Sequence, residues 1–333
     1  MVGLAIGLLA TMVIMQVFSV FEVQKRATTG SADAQTNGSI ALYTMGRELK
    51  MAGYGLMPAA ASVSPLQCTT TTYGATGIWG IFPAVITDGG AAAGASDSIS
   101  LRYGTSATGG IPSVITAMGA PTANDATVGT NFGCQLNDNV LITNGATCAM
   151  TSVSAVAGGT TITLQNTTNA VVNANLSCLG TWNEIAYYVN NGSMERNPNP
   201  TVAASGVPIV AGIVNIQAQY GISATANLNQ ITQWVDAAAG GWDNPAVADR
   251  NRIKAIRVAV VARNVKKEPT AVTAACSSTT SAAPTGLCAW EGSIASPAPT
   301  IDLSNDTDWQ RYRYRVFETI IPLRNMIWSK GTL

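Results

Sequence analysis

The sequence predicts an α+β protein. A long N-terminal helix, membrane-embedded in its first half, packs its second half on the antiparallel β-sheet of a globular head, with a loop-rich β insertion over about 60–200. Three observations carry this reading. Residues 1–21 are apolar and uncharged, residues 42–56 repeat apolar side chains at helical spacing, and two late segments alternate at the period of a strand.

The opening stretch, MVGLAIGLLATMVIMQVFSVF, has only Thr11, Gln16 and Ser19 as polar side chains. A helix of that length rises about 30 Å, enough to cross a bilayer core. A secretory signal peptide needs a basic start and a small-residue cleavage site, and neither is present. Residues 1–21 therefore read as a retained transmembrane helix. Within it Gly3, Leu4, Ile6, Gly7, Leu8, Leu9, Val13, Ile14, Val17 and Phe18 are the candidate membrane-facing or helix-bundling positions. The Gly3–Gly7 spacing permits close helix packing, although small residues are common in such helices regardless. Lys25 and Arg26 follow the apolar run, which by the positive-inside rule alone would leave the head in the cytoplasm.

Residues 27–39, with Thr28, Thr29, Gly30, Thr36, Asn37 and Gly38, are mediocre to poor helix formers. Beyond them Leu42, Met45, Leu49, Ala52 and Leu56 form one apolar face, with Arg47, Glu48 and Lys50 on the solvent side. Gly53 and Gly55 end the helix, and Pro58 prevents its return.

Composition excludes several classes. Eighteen basic residues balance eighteen acidic ones, so bulk charge does not favour nucleic acid. There is no histidine, which removes Ser-His-Asp and Cys-His catalysis and imidazole zinc sites. Paired glycines at 89–90, 109–110 and 158–159 lack a phosphate-loop lysine. No catalytic or cofactor motif is visible, and the chain is read as a non-enzyme. The even set Cys68, Cys134, Cys148, Cys178, Cys276 and Cys288 contains no C-x-x-C pair and favours disulfides made in an oxidising compartment. That argues for an external head, against the charge rule. The spacing suggests local loops Cys134–Cys148 and Cys276–Cys288, with Cys68 and Cys178 as a long-range pair. Six buried free thiols are the alternative.

The middle of the chain is poor in charge. Short β-prone stretches at 78–86, 98–103, 140–143 and 160–164 alternate with Gly, Asn, Thr and Ser clusters, and Trp79 and Phe82 offer anchors. In the last third, IKAIRVAVVAR (253–263) alternates as a strand with one buried face, and QRYRYRVFETII (310–321) as a second, ended by Pro322. Asp302, Asp306 and Asp308, with Asn305, could hold calcium, but their spacing lacks the central Gly and distal Glu of an EF-hand, and a polar turn explains them as well. Arg311, Arg313 and Arg315 line one side of the last strand. A solvated face pairing with acidic residues of a neighbouring subunit is favoured there over a phosphate-binding surface. Glu318 lies on the Tyr/Val face, without an identifiable partner.

The valine-rich strand ending in Arg263 and the late RYRVFETIIPLRNMIW resemble the PilW family of type IV pilus minor pilins. GRELKMAGYGL (46–56) resembles the same family and the J-type pseudopilins of type II secretion. The opening MVGLAIGLLA is similar to the interior of the prepilin signal. The resemblance covers both chain ends, roughly a third of the length. It implies a pilin-like fold, with a basic leader and a prepilin peptidase site upstream of Met1. It implies an inner-membrane protein with a periplasmic head that later reaches the pilus tip at the cell surface, and no cofactor. Its partners would be V-, X-, E- and FimU-type minor pilins, the major pilin and a PilY-type tip adhesin, with a role in priming assembly. The alternatives are a J-like pseudopilin, or a membrane-anchored surface adhesin or DNA receptor.

Overall fold

The structure is a computed structural model that describes residues 2–56, 64–68, 70–71, 81–120, 123–145, 147–167, 169–200, 206–238 and 241–327. Within these, the side chains at 2, 4, 5, 20, 23, 24, 26, 27, 70 and 71 are outside the description, so Leu4 and Arg26 are placed by backbone alone. Pro58 and Trp79 also lie outside the described residues.

One unbroken helix, α1 (Val2–Leu49), opens the chain. At 1.5 Å per residue it is about 70 Å long. The weak helix formers at 27–39 do not interrupt it, because packing against the head outweighs propensity there. Residues 50–55 form turns in which Gly53 and Gly55 take φ of 79° and 87°, the left-handed region that stops a helix.

The strands follow in chain order. The first three are β1 (Thr70–Thr71), β2 (Ala84–Thr87) and β3 (Ser98–Tyr103). Next come β4 (Pro112–Met118), β5 (Asp125–Val128), β6 (Asn139–Asn144), β7 (Thr147–Ala157), β8 (Thr161–Leu164) and β9 (Asn175–Gly180). Then β10 (Asn183–Asn190), β11 (Ser193–Asn197), β12 (Val207–Ala211), β13 (Ile213–Ser223) and β14 (Ile231–Val235). A short α2 (Val247–Arg250) leads into β15 (Ile253–Lys267), and β16 (Tyr312–Pro322) into α3 (Arg324–Ile327).

The sheet under α1 has the order β14-β13-β15-β16, all antiparallel. Ile256, Val258, Val260 and Ala262 of β15 share the core beneath α1 with Ile216, Ala218 and Tyr220 of β13. The sequence suggested a single buried face for this strand; two are buried. Ala259 and Val261 point the other way into a second cluster with Leu287, Trp290, Ile301 and Leu303. The covering segment is held by the Cys276–Cys288 disulfide.

A five-stranded sheet, β12-β11-β10-β3-β2, closes the same core with Ile99, Leu101, Tyr187 and Met194. Its junction with β13 runs through Asp97, which is 3% exposed. The Asp97 carboxylate accepts backbone N–H bonds from Gly89 (2.9 Å) and Ala218 (2.7 Å).

Of the 60–200 stretch, 112–180 forms a separate body. Its strands run β7-β6-β9-β4-β5-β8, and β8 pairs back onto β7, closing a six-stranded antiparallel barrel to which β1 adds in parallel. Ile115, Val140, Ile142, Val153, Ile162 and Leu176 fill it. Closure gives each of the six strands at least two partners among the described residues, so a sequence poor in charge leaves little bare strand here. The barrel wall meets the head through Leu56, Ile81, Leu141, Met150 and Leu179.

Two expected disulfides are exchanged. The bonds are Cys68–Cys148 and Cys134–Cys178. The reason is strand alternation. Cys178 packs with the barrel interior, where Cys134 also reaches, while Cys148 packs with the cluster outside the wall, where Cys68 lies. The local loop Cys134–Cys148 would join opposite sides of the wall. Cys276–Cys288 forms as the spacing suggested.

Burial raises the Asp97 carboxyl to about 7 from 3.8, against the two N–H bonds that favour its anion. A raised carboxyl pKa means that this group's contribution to stability is complete below 3.8 and is lost as pH rises through about 7. With no histidine in the chain, few other groups titrate between pH 5 and 8. Urea midpoints should therefore fall from pH 5 to pH 8, and Asp97→Asn should flatten that slope whatever its offset. A slope unchanged in the variant would assign the titration elsewhere, first to Asp236, which burial also raises.

Candidate functional site

The feature that demands a partner is the first half of α1. Ile6, Leu8, Leu9, Met12, Val13, Ile14, Met15, Val17, Phe18 and Phe21 are all exposed, on every side of the helix. Even its polar groups turn inward: the Thr11 hydroxyl donates to the Leu8 carbonyl (2.9 Å), and that of Ser19 to Gln16 (2.8 Å). A helix apolar all round is stable only when surrounded by other apolar groups. A Cβ on Gly3 or Gly7 would meet nothing within 4 Å. Among the described residues no helix is long and apolar enough to cross a membrane. The side chains described without a gap run from 6 to 19, about 20 Å of helix against the ~30 Å of a bilayer core.

The second half of α1 is the seat that holds this stretch to the head. Its buried positions are Gly30, Ala34, Gly38, Ala41, Met45, Gly46 and Leu49, and all but Gly46 form one stripe at steps of three and four. The upper four are small, so backbone and sheet come close. A Cβ on Gly30 would lie 2.2 Å from Asn264 Oδ1, and one on Gly38 would lie 2.2 Å from two ring carbons of Phe317. Residues 27–39, read as weak helix, are thus the contact itself.

At the base of the helix Glu48 is not on the solvent side as the sequence suggested. Its carboxylate accepts from the Tyr187 hydroxyl (2.6 Å) and from Nε and Nη2 of Arg196 (3.1–3.2 Å), both on the five-stranded sheet. Its side chain is 12% exposed. Burial, then the bond to Glu48, holds the Tyr187 hydroxyl far above its ordinary pKa. Below it, Asn325 Nδ2 donates to the Ala52 carbonyl (3.0 Å), tying the turn to α3.

The other residues singled out by sequence do not converge. The basic stripe is divided: Arg311 sits in a turn before β16, 3.3 Å from Asp308, and Arg313 pairs with Glu268 at 3.0 Å. Two of the three arginines find acidic partners within the chain, where a neighbouring subunit was expected. Asp306 pairs with Arg263 (3.1 Å) and Asp308 with Lys267, while Asp302 accepts from Ser304 in a turn. Among the described residues no three acidic or cysteine side chains gather as a metal site. Glu318 has a partner, Arg257 at 3.0 Å, whose guanidinium lies 4.5 Å over the Trp290 ring. Sequence reasoning missed Glu48, Tyr187 and Arg196, since no local pattern links residues so far apart. The small-residue stripe was readable as Gly30-Ala34-Gly38-Ala41.

Two predictions test the seat. Gly38→Val should cost about 1–3 kcal/mol by driving into the Phe317 ring, read as a lower denaturant midpoint, while Gly3→Ala and Gly7→Ala leave the midpoint unchanged. Equal midpoints for all three would remove the close-approach account. Glu48→Ala strands Arg196 and the Tyr187 hydroxyl and should cost about 2 kcal/mol, with Glu48→Gln costing less. A wild-type midpoint in Glu48→Ala would show that the clamp holds nothing.

Comparison with known proteins bears on the same elements. Residues 186–325 match the family model of type IV pilus-assembly protein W, PilW. The match begins in β10 and ends in α3, taking in most of both head sheets but neither the barrel nor α1. No curated protein sequence matches the chain. Among solved structures a type IV-like pilin from Thermus thermophilus aligns at 11% identity with a TM-score of 0.36, over 88% of this chain and 96% of that one. The resemblance first read from the β15 and β16 sequences is thus found more widely: residues 186–325 are similar to the PilW family of type IV pilus-assembly proteins.

Proposed function

We propose that the protein is a minor pilin of the type IV pilus, acting as a structural subunit rather than a catalyst. The apolar half of α1 rests in the inner membrane before assembly and in the helix bundle of the filament core afterwards. The observation that carries this is one continuous helix, bare and apolar for its first half and seated on a PilW-family head by its second. Burial of the bare half out of lipid and against other helices supplies packing contacts, and Gly3 and Gly7 allow close approach. The head is held in the periplasm and then at the tip, which fits three disulfides in a histidine-free, charge-poor chain. Its partners are other minor pilins, the major pilin and a PilY-type tip adhesin, and its role is to prime polymerisation.

An in-frame deletion in the producing organism tests this. Surface pili counted by electron microscopy should be lost or strongly reduced while the major pilin stays at normal level in whole cells. The intact gene should restore them, and the protein should appear in sheared pili. Normal piliation in the deletion would overturn the priming role. If type II secretion failed instead, the J-like pseudopilin reading would replace it.

A further inference from the structure

Each of the six barrel strands pairs with at least two others among the described residues, but the head has a long open edge. β16 pairs with β15 on one side only. Among the described residues the backbone of 313–321 makes no hydrogen bond other than those to β15. Such an edge is a template for another strand unless charges, prolines or bulges blunt it. Arg313 and Arg315 blunt its first half. Its second half has only Glu318, drawn to Arg257 on the face away from α1, and Pro322 at the very end.

Beside that second half the helix stands away from the sheet. A groove of about 500 Å³ runs between α1 and β16, lined by Leu42, Tyr43, Gly46, Phe317, Thr319 and Ile320. Tyr43 is 72% exposed and Ile320 49%, so neither is claimed by the chain's own core. The rim is cationic. Arg47 in the last turn of α1 and Lys50 just past it line the groove, while Arg315 lies on β16 two residues before Phe317 and Arg324 two residues past the strand's end. None of the four makes an ion pair among the described residues. In a chain whose total charge is zero, this is a local surplus that complementary charge would answer.

We propose that the α1–β16 edge takes an extended acidic segment of another protein by strand addition. The incoming strand continues the four-stranded sheet beneath α1. Its apolar side chains fall alternately into the groove, and its Asp or Glu side chains reach Arg47, Lys50, Arg315 and Arg324. A second copy of this chain is disfavoured, since two cationic edges would meet. The proposal rests on the edge and its charges, and stands apart from the pilus reading.

The test uses the full chain in detergent and a fluorescein-labelled decapeptide alternating valine and glutamate. Controls are the same peptide with lysine for glutamate and a scrambled acidic peptide. Anisotropy should show binding of the alternating acidic peptide alone, weakening as salt rises. Arg47→Glu with Lys50→Glu should weaken it about tenfold or more. Ile320→Lys, which puts a charge on the open edge, should abolish it, with melting temperatures showing that both variants fold. Hydrogen exchange should show new protection of amides within 313–321. The proposal is overturned by no binding up to about a millimolar, or by binding that ignores the charge reversal or leaves 313–321 unprotected. A self-dimer in sedimentation equilibrium that Ile320→Lys dissolves would also overturn it, by giving the edge to a second copy.

Discussion

A helix can leave half its length bare only if the other half is held firmly, and here the holding surface is narrow. Gly30, Ala34, Gly38 and Ala41 present almost no side chain, so the backbone of α1 lies against Asn264 and Phe317. Interiors are close-packed, and at that distance one added methyl group displaces an aromatic ring. The larger Met45 and Leu49 take over where the helix sinks into the core shared by both sheets. The spacing of helix and sheet then sets the rest: β15 must be apolar on both faces, and a disulfide-held segment must cover the far one.

The barrel is attached to this head by few but specific links. Cys68–Cys148 joins the 64–68 segment to β7. The guanidinium of Arg250, 4% exposed, donates to the carbonyls of Leu66 (3.0 Å) and Cys68 (2.9 Å) of that segment. Three glycines allow the close crossing of chains: a Cβ on Gly110 would strike the Gly55 carbonyl at 2.1 Å, and one on Gly104 the Leu179 carbonyl at 2.4 Å. A charge-poor body whose six strands each have at least two partners among the described residues can thus sit beside the head with little bare strand to offer for pairing.

The sequence revealed most where a period is local. The apolar start, the Met45-Leu49-Ala52-Leu56 face and the two strands around Val258 and Val316 were legible because each pattern lies within about a dozen residues. The barrel was not. Its strands β4 (PSVITAM), β5 (DATV) and β9 (NLSCLG) are short and carry no sustained alternation, so their pairing into a ring is not written in any local period. The disulfides failed for a related reason: which way Cys148 and Cys178 point depends on register, which spacing does not encode. Helical periodicity places Glu48 in solvent because it describes one neighbour, the sheet under α1, whereas the five-stranded sheet approaches from another side.

The continuity of α1 also has a mechanical meaning. A pull on its bare end runs along the helix axis, parallel to the stripe from Gly30 to Leu49, so it loads the contacts with the sheet in shear. They must slip together instead of peeling one by one. Glu48, bonded to Tyr187 and Arg196, sits at the end farthest from the pull and resists the slide. Survival under tension is governed by the rate of forced unfolding, and this geometry puts the whole seat in the path of that load.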